Sequence, residues 1–196
     1  MKQVCYDNAA DKIPIKLRRI YFMSTSATAR KSISAAFLGE LQHEAATTRT
    51  VLERVPEDKF EWQPHEKSMT FGRLAVHIAE MFSWMQTTIT TPGLDFAVDE
   101  FKPFEPKTNA ELLEFFDKSV TEAAEALENA ADEVFMEEWT MRNGEEIYFT
   151  MPKIAVLRSF CMNHIYHHRG QLSVYLRLND IPVPQIYGPT ADEGQM

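Results

Sequence analysis

Asn163–Leu172 reads NHIYHHRGQL and lies inside a longer apolar-periodic segment, Pro152 to Leu178, whose spacing predicts a helix. Leu157, Cys161, His164, His168, Leu172 and Tyr175 recur at intervals of three and four, which sets them along one face. His164 and His168 are therefore one turn apart on the stripe that turns to the core. Their Cβ atoms should lie about 5–6 Å apart, so the two imidazoles can converge on one ion. Buried rings need partners, because an unpaired buried polar group costs on the order of 1–3 kcal/mol. A metal ion would serve both rings, and so would carbonyl or carboxylate acceptors in an ordinary core. Two ligands do not complete a site, so the question passes to the rest of the chain.

Upstream, a first helix is expected from about Ser32 to Leu52, with Ile33, Phe37, Leu41, Ala45, Thr48, Leu52 and Val55 on its inner side. His43 lies off that stripe and reads as an exposed helix histidine. The connector from Val55 to Lys67 holds Pro56 and Pro64, so the helix stops before Pro56, and Phe60 and Trp62 are its anchors. His65 in that connector reads as a solvated loop histidine. Ser68 or Thr70 can cap a second helix, about Phe71 to Thr90, whose inner face carries Leu74, Ile78, Met81 and Met85. His77 shares that face. Alone it would be a satisfied core histidine; beside His164 and His168 it is the obvious third ligand.

Thr91 to Lys107 is a long connector with Pro92, Gly93, Pro103 and Pro106, able to pass over one end of a bundle. Its acidic residues Asp95, Asp99 and Glu100 read as a solvated surface. A third helix should begin near Thr108, which with Glu111 fits a capping box, and run to about Glu128 with Leu112, Phe116, Val120, Ala123 and Leu127 inward. Asn143-Gly144, set between the alternating segments of Phe135 to Thr150, signals a β-hairpin. Pro152 should then open the fourth helix in its first turn. Beyond Asn179 the chain runs extended through Ile181-Pro182-Val183-Pro184, with Tyr187-Gly188-Pro189 wrapping back over the body.

The 196 residues suit one domain with a sizeable core, and 44% apolar with 25% charged content is that of a globular protein. A formal net charge of −9 argues against nucleic acid or an anionic membrane as partner. The two cysteines, Cys5 and Cys161, make no disulfide framework and fit a reducing cytoplasm. No apolar run approaches the roughly 20 residues that span a bilayer. Residues 1–29 mix Ile13, Ile15, Leu17 and Ile20 with basic side chains and read as a leader or extension, with Met23 as an alternative start; residues 30–196 form the domain.

Four helices, with His77 on the second and His164 and His168 ahead of Arg169-Gly170-Gln171 on the fourth, resemble the DinB-like (DinB/YfiT) superfamily. The resemblance runs from about Ser32 to Asp192 and takes in VPEDKF at 55–60, LAVH at 74–77 and the closing Tyr187-Gly188-Pro189. It implies an all-α, up-down-down-up four-helix bundle, here with a small β-hairpin between helices 3 and 4. It also implies a homodimer and a divalent metal held by His77, His164 and His168. Members include thiol-dependent S-transferases and a mycothiol-dependent isomerase, so a low-molecular-weight thiol is the implied cosubstrate and a small electrophile the substrate. Three neutral imidazoles leave metal positions open, as in catalytic sites. Zinc or nickel leads as the ion, with iron and manganese within range of such a donor set. Cys161 is a candidate fourth ligand that reads better as a buried thiol. His167 points about 100° away from His168 around the helix. Arg169 and Gln171 read as ties between helices. The functional expectation is a metal-dependent thiol S-transferase. The alternatives are a non-catalytic metal-binding or interaction bundle, and a metal-assisted hydrolase, which would need a carboxylate base.

Overall fold

Each apolar stripe becomes a helix. The computed structural model describes residues 32–99 and 102–194, and among these four long helices form. The expected leader, Cys5 and Glu100 lie outside the described residues. Helix α1 (Ile33–Leu52) begins at Ser32, whose side chain accepts the Ala35 amide. Helix α2 (Phe71–Thr90) is capped by Thr70 in the same way, through the amide of Arg73. Helix α3 (Asn109–Asn129) is capped by Thr108. Its Glu111 carboxylate reaches back one residue further than a capping box requires, to the Lys107 amide at 2.6 Å. Helix α4 runs in three parts: an α-helical turn Lys153–Val156, a π-helical segment Leu157–Met162, and the α-helix Asn163–Leu178. The extent matches the periodicity, but the wide π turn does not announce itself, and Pro152 caps the helix rather than entering its first turn.

Hydrogen bonds between the helices fix their directions. Asn109 at the start of α3 donates to Leu52 and Val55 carbonyls at the end of α1, at 2.9 and 2.8 Å. Ser34 at the start of α1 donates to the Leu127 carbonyl near the end of α3, so α1 and α3 are antiparallel. Lys153 at the start of α4 donates to the Ile89 carbonyl at the end of α2 (2.9 Å), while Tyr175 near the end of α4 reaches the Met69 carbonyl just before α2 (3.2 Å). Helices α2 and α4 are therefore antiparallel as well. Arg158 pairs with Glu40 and Arg169 with Glu44, which makes α4 run alongside α1 in the same direction. The result is an up-down-down-up bundle. The core stripes meet in its interior, with Leu41, Leu52, Ile78, Met85, Leu112 and Leu172 fully buried.

Because α2 and α3 point the same way, their connector must travel the length of the bundle. Part of it adds a strand that periodicity does not disclose. Strand β1 (Gly93–Asp95) pairs in parallel with β2 (Glu138–Asn143), which pairs in antiparallel with β3 (Glu146–Pro152), giving the order β1-β2-β3. A Cβ at Gly93 would overlap the Thr140 carbonyl, so the close strand approach requires glycine there. The hairpin loop sits one residue later than Asn143-Gly144. Asn143 pairs with Glu146, and Gly144-Glu145 form the loop, with Gly144 at φ +59°. That is the place a type II′ turn reserves for glycine. Asp95, expected as solvated surface, holds the loop by accepting the Gly144 amide at 2.8 Å and Arg142 Nε at 3.0 Å. No described helix is long and apolar enough to cross a membrane.

Arg169 joins the helices as anticipated. Its side chain is 1% exposed and pairs with Glu44 at 2.7 Å and with Thr48 Oγ1 at 3.0 Å. Tyr187 closes the group from the returning tail by donating to Glu44 Oε2 at 2.9 Å. Removing one partner of a buried pair leaves the other charge uncompensated, which costs about 3–5 kcal/mol. Glu44→Ala is expected to lower the unfolding free energy by about that amount in urea titration; an unchanged midpoint would show that the guanidinium finds water instead.

Candidate metal centre

The seam between α2 and α4 is where the three histidines meet. His77 stands in the second turn of α2, on the face that packs against α4. His164 and His168 stand one turn apart on α4, after its π segment. The ring centroids of His77 lie 5.1 Å from His164 and 4.7 Å from His168, and those of His164 and His168 are 4.5 Å apart. One nitrogen from each ring lies within 4.8 Å of the other two, and the group can hold a metal ion.

The engaged nitrogens determine which ones face inward. His77 Nδ1 is 3.4 Å from Glu80 Oε2. His164 Nδ1 donates to the Phe160 carbonyl at 3.2 Å. His168 Nδ1 donates to Gln171 Oε1 at 2.7 Å. With every Nδ1 engaged, each Nε2 is left as the lone-pair donor. Hydrogen bonding at one nitrogen sets the tautomer and leaves the other for a metal. The donor set thus fits a divalent ion on the protein's own geometry.

Electrostatics acts in the same direction. Burial pushes His168 down to about 4, against the opposing hydrogen bond from Gln171, and the neighbouring His77, His164 and His167 add to the lowering. His164 is lowered as well, first by burial and then by His77. Both rings are held neutral at pH 7, the form that ligates metals.

Apolar periodicity misses the three acceptors behind the rings, although their spacing signals them. Glu80 comes three residues after His77, Gln171 three after His168, and Phe160 four before His164. These are the spacings that meet on a helix. Gln171 differs from expectation, for among the described residues its hydrogen bonds stay within its own helix. It links His168 to the exposed His167, whose Nε2 accepts its amide at 3.1 Å. Cys161 stays outside the cluster. It is wholly buried beside Thr88, and burial pushes its thiol up to about 12, which makes it an inert core thiol. His43 and His65 are exposed and lie outside the group, with His65 Nδ1 accepting the Lys67 amide in its own loop.

A family model described as the DinB family matches residues 23–195 of this chain. The chain belongs to the DinB family. The protein YrdA of Bacillus subtilis (strain 168), described as uncharacterized, is 27% identical over 165 residues, covering 80% of this chain and 89% of that protein. Two solved structures share the DinB-like fold. One, from Bacillus cereus ATCC 10987, superposes with a TM-score of 0.63 at 22% identity, over 81% of this chain and 100% of the other. The other, YjoA from Bacillus subtilis, gives 0.60 at 19% identity, over 77% and 96%. At these identities the structures speak for the DinB fold alone.

In the metal-free chain the lowered histidine pKa makes stability depend on pH. The unfolded state, with His near 6.5, binds protons more readily than the fold does, down to about 4 for His168. The stability that neutral His168 contributes is therefore complete above about pH 6.5 and is lost as pH falls through about 4. Thermal melts of chelator-treated protein between about pH 7.5 and 4.5 should fall more steeply for the wild type than for His168→Gln. Parallel curves would show that His168 is solvated rather than buried.

Proposed function

We propose that this protein is a divalent-metal-dependent enzyme that transfers a low-molecular-weight thiol to a small electrophile, with the ion held by His77, His164 and His168. The observation that supports it most is the arrangement of three imidazoles whose Nδ1 atoms are all engaged and which bring one nitrogen each within 4.8 Å of the other two. When bound, an ion there supplies Lewis acidity, which favours the thiolate form of a thiol at neutral pH. The chain's own contribution is to hold and orient. Helices α2 and α4 set the ring positions, and Glu80, the Phe160 carbonyl and Gln171 fix the ring planes. Burial keeps the rings of His164 and His168 unprotonated. Three protein donors leave coordination positions for a thiol, as in open catalytic sites. Among the described residues the three-histidine group contains no carboxylate, and Glu80 meets His77 at Nδ1. Zinc or nickel suits the imidazole set first, with iron and manganese as the other ions to assay.

Elemental analysis of purified wild type, His168→Ala and His43→Ala provides the test. About one equivalent of metal is expected in the wild type and in His43→Ala, with loss of tight binding in His168→Ala. The metal-loaded wild type should then accelerate conjugation of a thiol to a model electrophile, and His168→Ala should not. Full metal retention in His168→Ala would remove the site and the enzyme reading with it. A homodimer belongs to the same proposal, and a dimer mass by light scattering at micromolar concentration is its expected outcome.

A further inference from the structure

Behind the three imidazoles, two acceptors are neutral and one is a carboxylate. The Phe160 carbonyl and the Gln171 amide carry no charge, whereas Glu80 does. Its side chain is 3% exposed, and Oε2 takes both of its contacts: Arg73 Nη1 at 2.8 Å and His77 Nδ1 at 3.4 Å. Among the described residues Oε1 is buried with no hydrogen-bond partner. This buried carboxylate lacks a donor at Oε1, and its charge, shared with the partly exposed Arg73, also faces His77, beyond which a cation would be attracted to it. Arg73 does not relieve Oε1, since it bonds the other oxygen, and its own side chain is 33% exposed.

We infer that Glu80 is a positioning residue that ties metal affinity to its carboxylate: through His77 it fixes the ring, and its charge favours an ion on the far side of that ring. This rests on the metal reading above, and it adds a sign that a purely structural role lacks. Replacing Glu80 with glutamine keeps the shape and removes the charge. The variant then loses the ion pair with Arg73 and the unpartnered Oε1, while its metal-bound form also loses a charged acceptor for His77. Outer-layer partners of this kind change metal affinity by about 10–100-fold.

The experiment compares wild type and Glu80→Gln after metal removal, using zinc alone as the probe. Zinc affinity is read by competition with a chromophoric chelator, and Tm is read with and without zinc. Glu80→Gln is expected to bind zinc about 10–100-fold more weakly, with a smaller zinc-induced rise in Tm. Equal zinc affinity in the two proteins would overturn the inference while leaving the metal site intact. No zinc binding by the wild type would overturn the metal reading itself. Should Glu80→Gln fail to fold, Arg73→Gln carries the test, because it removes the guanidinium and leaves the carboxylate facing His77. Zinc should then raise Tm by more than in the wild type, and a smaller rise would overturn the proposal.

Discussion

Three imidazole rings packed against one another in a single helix seam leave α2 and α4 little freedom in how they cross. His77 meets both partners nearly edge to face, at interplanar angles of 78° and 72°. Each ring is also fixed from behind, two by side-chain acceptors on the same helix and one by a backbone carbonyl. A shift of either helix along its axis would break the ring contacts between them, while each ring stays oriented by its own helix. The antiparallel pairing of α2 with α4 is thus the constraint to which the connector, the hairpin and the tail must all conform.

The opposite flank of α4 is fixed by charge. His168 and Arg169 are consecutive, yet they serve different neighbours: the ring turns to α2 and the guanidinium turns to α1. Arg169 meets Glu44 and Thr48 on α1 and Tyr187 from the tail, and its guanidinium lies 5.0 Å from the Tyr187 ring centroid. Desolvating such a group is tolerable because its donors have acceptors waiting. The tail is held further by Asp192, which accepts from Val183 and pairs with Arg177 near the end of α4. Rigid supports on both sides suit a site whose rings must stay within a narrow range of positions.

Much of this was legible in the sequence, for identifiable reasons. The helices came from apolar periodicity, and the starts of the second and third from capping residues, Ser68 or Thr70 and Thr108, because capping is local chemistry. The histidine cluster came from side chains lying on inward stripes, while His43, off its stripe, is exposed. Tertiary pairing was less accessible. Strand β1 is only three residues long and exists because β2 lies alongside it, so its own residues carry almost no strand signal. The hairpin loop falls one residue later than Asn143-Gly144, where Asp95 from outside the hairpin accepts the Gly144 amide, a partner that local spacing does not reveal. Glu80 and Gln171 were within reach of i,i+3 spacing, but a surface glutamate and a buried one look alike until the helix has a neighbour.

The π segment Leu157–Met162 changes the heading of the helix beyond it. A single wide turn accommodates about one residue more than an α-helical turn does, and one residue corresponds to about 100° around the axis. The helix before the segment is oriented by the hairpin, with Val156 packed among Trp139 and Met141. The helix after it is oriented by the histidines. The segment therefore works as an angular adjuster between two requirements that one straight helix would have to reconcile. It lets the hairpin and the imidazole seam each choose a heading, and it places the resulting mismatch in a stretch of backbone that ends just before His164.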